Sequence, residues 1–399
     1  MRDDAPDGGS ALVANSGRAT VGRRTAAARI LLVGPTYSLK GSRAPLLTSS
    51  ASLMFYAVAP RLANGFIRSG HCVFTLNDRD CSKEALGLRP AGAWLADRKL
   101  LKIAKDFQPD LLCLQHCDLI SAETVRRVKE IVPHCRVAVV FYDNIFVPKE
   151  KARLRRFLQH ADFAFVTTGG QSLAEFADAC PVAFIPNPMD ASIDNATAYA
   201  EADKTYDVFC ACGHGGAADR WTLIDKLRQQ RPELRYALFG RDKRNPLLGD
   251  NYYRAIEQSK IGLNLNREER DLYASDRMAQ YLGNGLLLAT SRKSGYQRYF
   301  GDDEILFFDD VLELGDKIAW SLSDDRRWRA MAERARAKAA VLMDGNMVAD
   351  FILRMTLGHA PPPAWPFMDH IFRDPARATV VGHRVTMSAP RQPDLQSAF

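Results

Sequence analysis

Two residues that each follow an apolar run could move protons. His116 comes after the stretch 110–114 and Asp143 after Arg136-Val-Ala-Val-Val-Phe-Tyr142. A carboxylate at a strand end can take a proton from a hydroxyl, so Asp143 is the preferred general base and His116 the second. Each also has a purely structural reading, Asp143 in an Asx turn or a helix cap before Lys149, His116 in a loop hydrogen bond. A second set is rich in glycine and arginine: Gly213-His-Gly-Gly216, Gly240-Arg241, Asn266-Arg267 and Ser291-Arg292, each again after an apolar run. Ser275 reads as a helix cap, leaving the backbone NH groups near Arg277 for a diphosphate, while Arg277 adds a bidentate contact. The chemistry of this second set is anion binding.

Two further features suit other chemistry less well. Cys210-Ala-Cys212-Gly-His214 gathers two thiols and an imidazole, but a fourth zinc ligand is missing, so core thiols and no metal are expected. Lys149-Glu-Lys-Ala-Arg-Leu-Arg-Arg156 concentrates positive charge. It reads as a solvated helix face or as a contact with anionic lipid or an anionic acceptor.

The elements that must hold these residues alternate. Arg29-Ile-Leu-Leu-Val-Gly34 opens a series of short apolar runs separated by amphipathic segments, and a second series opens at Tyr206-Asp-Val-Phe-Cys-Ala-Cys212. Near-continuous apolar strands alternating with helices require parallel sheets covered on both faces. The expected fold is therefore α/β, with two tandem Rossmann-like, doubly wound domains facing a cleft. Their bounds are read as a tail at 1–28, a first domain at 29–190, a linker at 191–205, a second domain at 206–358 and a Pro-rich tail at 359–399. Trp365, Phe367 and Phe372 are expected to pack back on a domain. Ligands bind such sheets beyond the carboxyl ends of the strands, which also brings Gly34 and Tyr37 into the first-domain site on its acceptor side. No Gly-x-Gly-x-x-Gly follows either first strand and no phosphate loop is present, which argues against a dinucleotide-dependent dehydrogenase.

Composition narrows the class further. The 399 residues are 47% hydrophobic and 25% charged, with a net charge of +7. That excludes a disordered or collagen-like chain, and interspersed acids speak against nucleic-acid binding. No apolar run is long enough to span a bilayer, and no export signal is seen. The eight cysteines are thus expected in the reducing cytoplasm, with any membrane contact peripheral, at the inner face.

From Asn264 to Leu357 the chain resembles the carboxy-terminal domain of group 1 glycosyltransferases, in particular the CgeB-like branch. The run Ser275-Asp-Arg277-Met-Ala-Gln280-Tyr-Leu-Gly283-Asn-Gly285 and the later Tyr299-Phe-Gly-Asp-Asp-Glu304 carry the likeness. Gly70-His71-Cys-Val73 and Ile185-Pro-Asn-Pro-Met-Asp190 are similar to the same points of GT-B enzymes. The resemblance implies a metal-independent transfer of a sugar from a nucleotide-diphosphate sugar to a glycan or other hydroxyl acceptor, without a cofactor, in cell-envelope glycan chemistry. It implies a donor side made of Gly213, Arg220, Gly240, Asn264, Arg267, Ser275, Arg277, Gln280 and Glu304. Gln280 stands where the family has an acidic residue for a sugar or ribose hydroxyl, and Leu272 replaces the first glutamate of the paired-glutamate signature. A catalytically silent glycan- or partner-binding module and a nucleotide-sugar epimerase are the alternatives on the same scaffold.

Overall fold

The computed structural model describes residues 27–35, 39–40, 52–53, 58–212, 219–241, 247 and 249–374. Its first half runs β1 (Arg29–Val33), β2 (Leu39–Lys40), β3 (Ser52–Leu53), α1 (Val58–Arg68), β4 (Cys72–Leu76), α2 (Asp78–Glu84), α3 (Arg89–Phe107) and β5 (Leu111–Gln115). It continues with α4 (Ala122–Ile131), β6 (Arg136–Phe141), α5 (Pro148–Leu158), β7 (Phe163–Val166) and β8 (Val182–Phe184). The second half runs β9 (Tyr206–Ala211), α6 (Asp219–Gln230), β10 (Tyr236–Phe239), α7 (Asp250–Glu257), β11 (Ser259–Asn264), α8 (Arg277–Gly283), β12 (Leu287–Ser291) and β13 (Leu306–Phe308). Three helices, α9 (Val311–Leu322), α10 (Asp325–Leu342) and α11 (Gly345–Thr356), and the short β14 (Ile371–Phe372) close it.

Apart from β2 and β3, which pair with each other, the strands form a seven-stranded sheet, β14-β8-β7-β6-β5-β1-β4, and a five-stranded sheet, β10-β9-β11-β12-β13. All pairings within them are parallel except β14 with β8. Every residue of β5, β7 and β12 is buried, as a sheet covered by helices on both faces demands. The expected α/β fold with two Rossmann-like units is what the chain adopts.

Sequence order and packing part company near the end. Helix α11, read from sequence as part of the second domain, packs on α1 of the first. Trp365 then stacks on Phe351 at 3.8 Å, Phe367 meets Phe184 edge-on, and β14 extends the first sheet. These aromatic residues do pack back as expected, and they do so on the first domain. Helix α2 was not anticipated because Asp78-Arg-Asp-Cys-Ser-Lys-Glu84 has no apolar period.

Between the sheets the linker is tied by charge. Arg61 on α1, 2% exposed, forks onto Asp194 at 2.6 and 2.7 Å and reaches the Tyr253 hydroxyl of α7 at 3.2 Å. Asn284, just past α8, donates to the same Asp194 carboxylate at 3.2 Å. One buried carboxylate thereby joins both domains to the linker.

Candidate functional site

The first-domain edge is built from the turns after β5 and β6. Glycine is required at position 34, where φ is +146° and a Cβ would come within 2.1 Å of the Gln115 carbonyl oxygen. This lets β1 and β5 end close together. His116 follows with φ +46°, and its ring stacks on Phe141 and Tyr142 at 4.8 and 5.5 Å. Burial, then Arg153 and Arg79, push its imidazolium down to about 4. Its Nδ1 lies 3.3 Å from an Arg153 NH, which can only donate, so Nδ1 is the acceptor and Nε2 carries the proton. The half-exposed Asp143 carboxylate lies 3.4 Å from Nε2, which is itself buried without a hydrogen-bond partner. Arg153 also contacts Asp143 at 3.3 Å, Asp118 at 2.6 Å and Glu150 at 2.5 Å. His116 therefore has no lone pair directed at Asp143, and Asp143 is the accessible carboxylate of the group.

The second-domain edge is cationic. Arg220, in the first turn of α6, is held below its ordinary value by burial and by the like charges of Arg277 and Arg267 nearby. A cavity of about 400 Å³ opens here, lined by Arg220, Asn266, Arg267, Glu269, Ser291 and Lys293 among others. Glu269 is pushed up by burial, although Asn266 and Ser291 hydrogen-bond to it, and its Oε2 is buried without a partner. Tyr273 lies where the edges meet, within the fields of Arg277, Arg267 and Asp143. The loop that carries it is pinned to the first domain. Thr168 bridges Tyr273, the Gly169 NH donates to the Leu272 carbonyl at 2.8 Å, and Arg270 stacks over Phe146 at 4.9 Å.

Several sequence expectations change at this level. Ser275 does not cap α8. Asp276 takes the cap position without a side-chain bond, and the Ser275 hydroxyl donates to Asn264 Oδ1 at 2.9 Å. Arg277 spends two donors on the carbonyls of Leu265 (2.7 Å) and Ala211 (3.4 Å), bracing the ends of β11 and β9, while its Nε is buried without a partner. Asn264 is buried between Ser275 and Thr290. Gln280 is 3% exposed, accepts from the Tyr252 hydroxyl and donates to Asp276 at 3.3 Å, beneath the edge rather than on it. Glu304 pairs with Lys338 of α10 at 2.7 Å and accepts from the Gly301 NH, away from the cavity. Gly240, φ +92°, ends β10 on the same edge. Tyr37, Gly213 and His214 lie outside the described residues.

Thus the structure gathers Asp143, His116, Arg220, Arg267 and Arg277 and leaves Glu304 apart. Tyr273, Glu269 and Lys293 were not singled out from the sequence. Their signal was position, since the loop after β11, Asn266-Arg-Glu-Glu-Arg270, is charged throughout and leads directly into the cleft. Cys210 and Cys212 sit in the second core as free thiols, with Cys212 pulled down by its hydrogen bond from Cys210 and by Arg277 and Arg220. Among the described residues no group of three His, Cys, Asp or Glu is arranged for a metal, and no helix is long and apolar enough to cross a membrane.

Comparison with known proteins agrees with this layout. Residues 220–349 match the family described as glycosyl transferase-like. A search of curated proteins returns no sequence relative. Among solved structures, HepE of Anabaena in complex with UDP and glucose superposes with a TM-score of 0.51 at 12% identity, covering 82% of this chain and 99% of that one. Sucrose-phosphate synthase of Thermosynechococcus elongatus gives 0.50 at 12% identity, over 82% of this chain and 97% of that chain. The α,α-trehalose 6-phosphate synthase of Burkholderia multivorans gives 0.51 at 12% identity, over 83% and 97%. The chain thus has the two-domain GT-B fold of glycosyltransferases, and its second domain is glycosyl transferase-like.

Proposed function

We propose that the protein transfers a sugar from a nucleoside-diphosphate sugar to a hydroxyl acceptor, and that within its family it falls in the CgeB-like branch. The observation that carries this reading is the cavity at the second-domain strand edge, where Arg220, Arg267, Arg270 and Lys293 stand with Glu268, Glu269 and Asp309, and Arg277 lies close by. The cations outnumber the acids, and burial favours the neutral form of Glu269, so the edge suits an anion such as a diphosphate. Arg267 and Lys293 contact it from the rim, while Arg277, held by two carbonyls, contributes charge. The leaving diphosphate is stabilised by these cations without a metal or cofactor.

The acceptor enters from the first domain. Its hydroxyl loses a proton to Asp143, which Arg153 holds in place beside the His116 ring, as the sugar carbon–oxygen bond to the diphosphate breaks and the new bond to the acceptor oxygen forms. His116 is a positioning residue here. HepE was solved with UDP and glucose, which favours a uridine nucleotide as the first donor to try. Incubation with a panel of nucleotide sugars, reading release of the nucleoside diphosphate with and without glycan acceptors, tests the proposal. Binding of donors with no turnover on any acceptor would favour the silent module, and a rearranged free nucleotide sugar the epimerase.

A further inference from the structure

The turn between α2 and α3 is built to be seen from outside. Leu86 is 90% exposed, Leu88 63% and Trp94 59%, three of the ten large exposed hydrophobic residues among those described, within nine positions. Leu86 adopts φ +52° and Gly87 φ +81°, and the space around Gly87 is open to at least 4 Å. A β-branched-free but bulky leucine in the left-handed region is strained, so the turn holds an apolar side chain outward against its own backbone preference. Arg98 stacks over the Trp94 ring at 4.6 Å, and exposed Arg89 adjoins Leu88. The acids nearby are already occupied, Asp80 by Lys83 and Glu84 by Lys99.

We infer that this knuckle docks the protein on an anionic bilayer surface, with Leu86, Leu88 and Trp94 entering the interface and Arg89 and Arg98 meeting lipid phosphates. A small exposed apolar turn flanked by two arginines matches a fluid interface, where aromatic and aliphatic groups sink a few ångströms and cations stay at the headgroups. A protein partner needs a flat or concave patch of about 800 Å² on each side, which a single turn does not offer. The basic helix α5, the expected lipid contact from the sequence, is a poorer match. Lys151 pairs with Glu175, Arg153 with three carboxylates, and Arg156 donates to the Cys117 carbonyl.

The knuckle also has a meaningful position. Helix α2 starts at the carboxyl end of β4, on the cleft side, where Asp78 accepts from the NH groups of Asp118 and Leu119. Helix α3, 19 residues and so about 28 Å long, overshoots five-residue strands of about 17 Å. Its start therefore projects beyond the cleft edge. Arg79 of α2 touches Asp118 at 3.1 Å, and Asp118 contacts the Arg153 that holds Asp143. A docked protein would open its acceptor side toward the membrane, which goes beyond the proposed transfer and does not depend on it.

The test is co-sedimentation of the full chain with vesicles of phosphatidylglycerol and phosphatidylcholine, or of phosphatidylcholine alone. Binding to the anionic vesicles, weaker in high salt and lowered about tenfold or more by Leu86→Glu with Leu88→Glu, is expected. Circular dichroism and nucleotide binding serve as folding controls for that variant. Bromolipid vesicles should also quench the fluorescence of the wild-type chain more than that of Trp94→Phe. No binding to anionic vesicles, equal binding by the leucine variant, equal quenching in Trp94→Phe, or a loss caused only by Lys149→Glu on α5 would overturn the inference.

Discussion

The two edges of the cleft use arginine in opposite ways. On the first-domain side Arg153 is shared among Asp118, Asp143 and Glu150, and Arg79 shares Asp118 with it. On the second-domain side Arg220, Arg267, Arg270 and Lys293 line a cavity with Glu268, Glu269 and Asp309, of which burial pushes Glu269 toward its neutral form. Balanced charge fixes geometry. A cationic excess at a cavity suits an anionic ligand. A guanidinium is thus a brace or a receptor according to how many carboxylates surround it, which residue type alone does not reveal.

If the balanced edge exists to hold one base, Asp143→Asn should lower turnover by about 10²- to 10⁴-fold while nucleoside-diphosphate binding is unchanged. Steady-state rates beside calorimetric titration will show it, and unaltered turnover would remove Asp143 from the chemistry. The tie between the edges comes next. Arg61→Ala leaves Asp194 buried without its partner and should destabilise the fold by about 3 to 5 kcal/mol in urea titration. A loss under about 1 kcal/mol would mean that Tyr253 and Asn284 suffice.

On the receptive edge, Arg267→Ala should weaken nucleoside-diphosphate binding by about 1.5 to 3 kcal/mol and hardly affect the bare nucleoside. Asp118→Asn, on the balanced side, should leave that affinity alone. Similar losses from both would mean that the two edges do not differ in how they use their charge. The smallest effect concerns pH. His116 is held near 4 in the folded chain against about 6.5 when unfolded, so the unfolded state binds more protons between those values. Its contribution is complete above about 6.5 and is lost as pH falls toward 4. Melting temperature against pH should therefore slope less in His116→Gln than in the wild type, and parallel curves would place the imidazole in water.

Much of the fold was legible because apolar runs and helical periods are local. Arg29–Gly34 and Tyr206–Cys212 announce the first strand of each sheet, and the residues after strands mark the edge where Arg267 and Asp143 are found. What escaped depends on distant partners. Ser275 looks like a cap, yet Asn264, eleven positions earlier, offers a nearer acceptor. Gln280 faces Tyr252, a hydroxyl on a different helix, and no spacing rule pairs them. Arg292, named beside Arg267 for following a strand, is taken by Asp302, Asp309 and Glu313 instead. Polar α2 has no hydrophobic face to read, only the Asn77 cap at its start.

The return of α11 and β14 to the first sheet bears on biosynthesis. As the chain leaves the ribosome, β1 to β8 emerge long before residues 345–372, at about 5 to 20 residues per second. Until then α1 lacks the helix that packs on it, and β8 exposes an unpaired edge to other nascent chains. The half made first is therefore finished last. A ribosome stalled after α10 would release a second domain with its own sheet complete beside a first domain with an adhesive flank, a product for chaperones to hold.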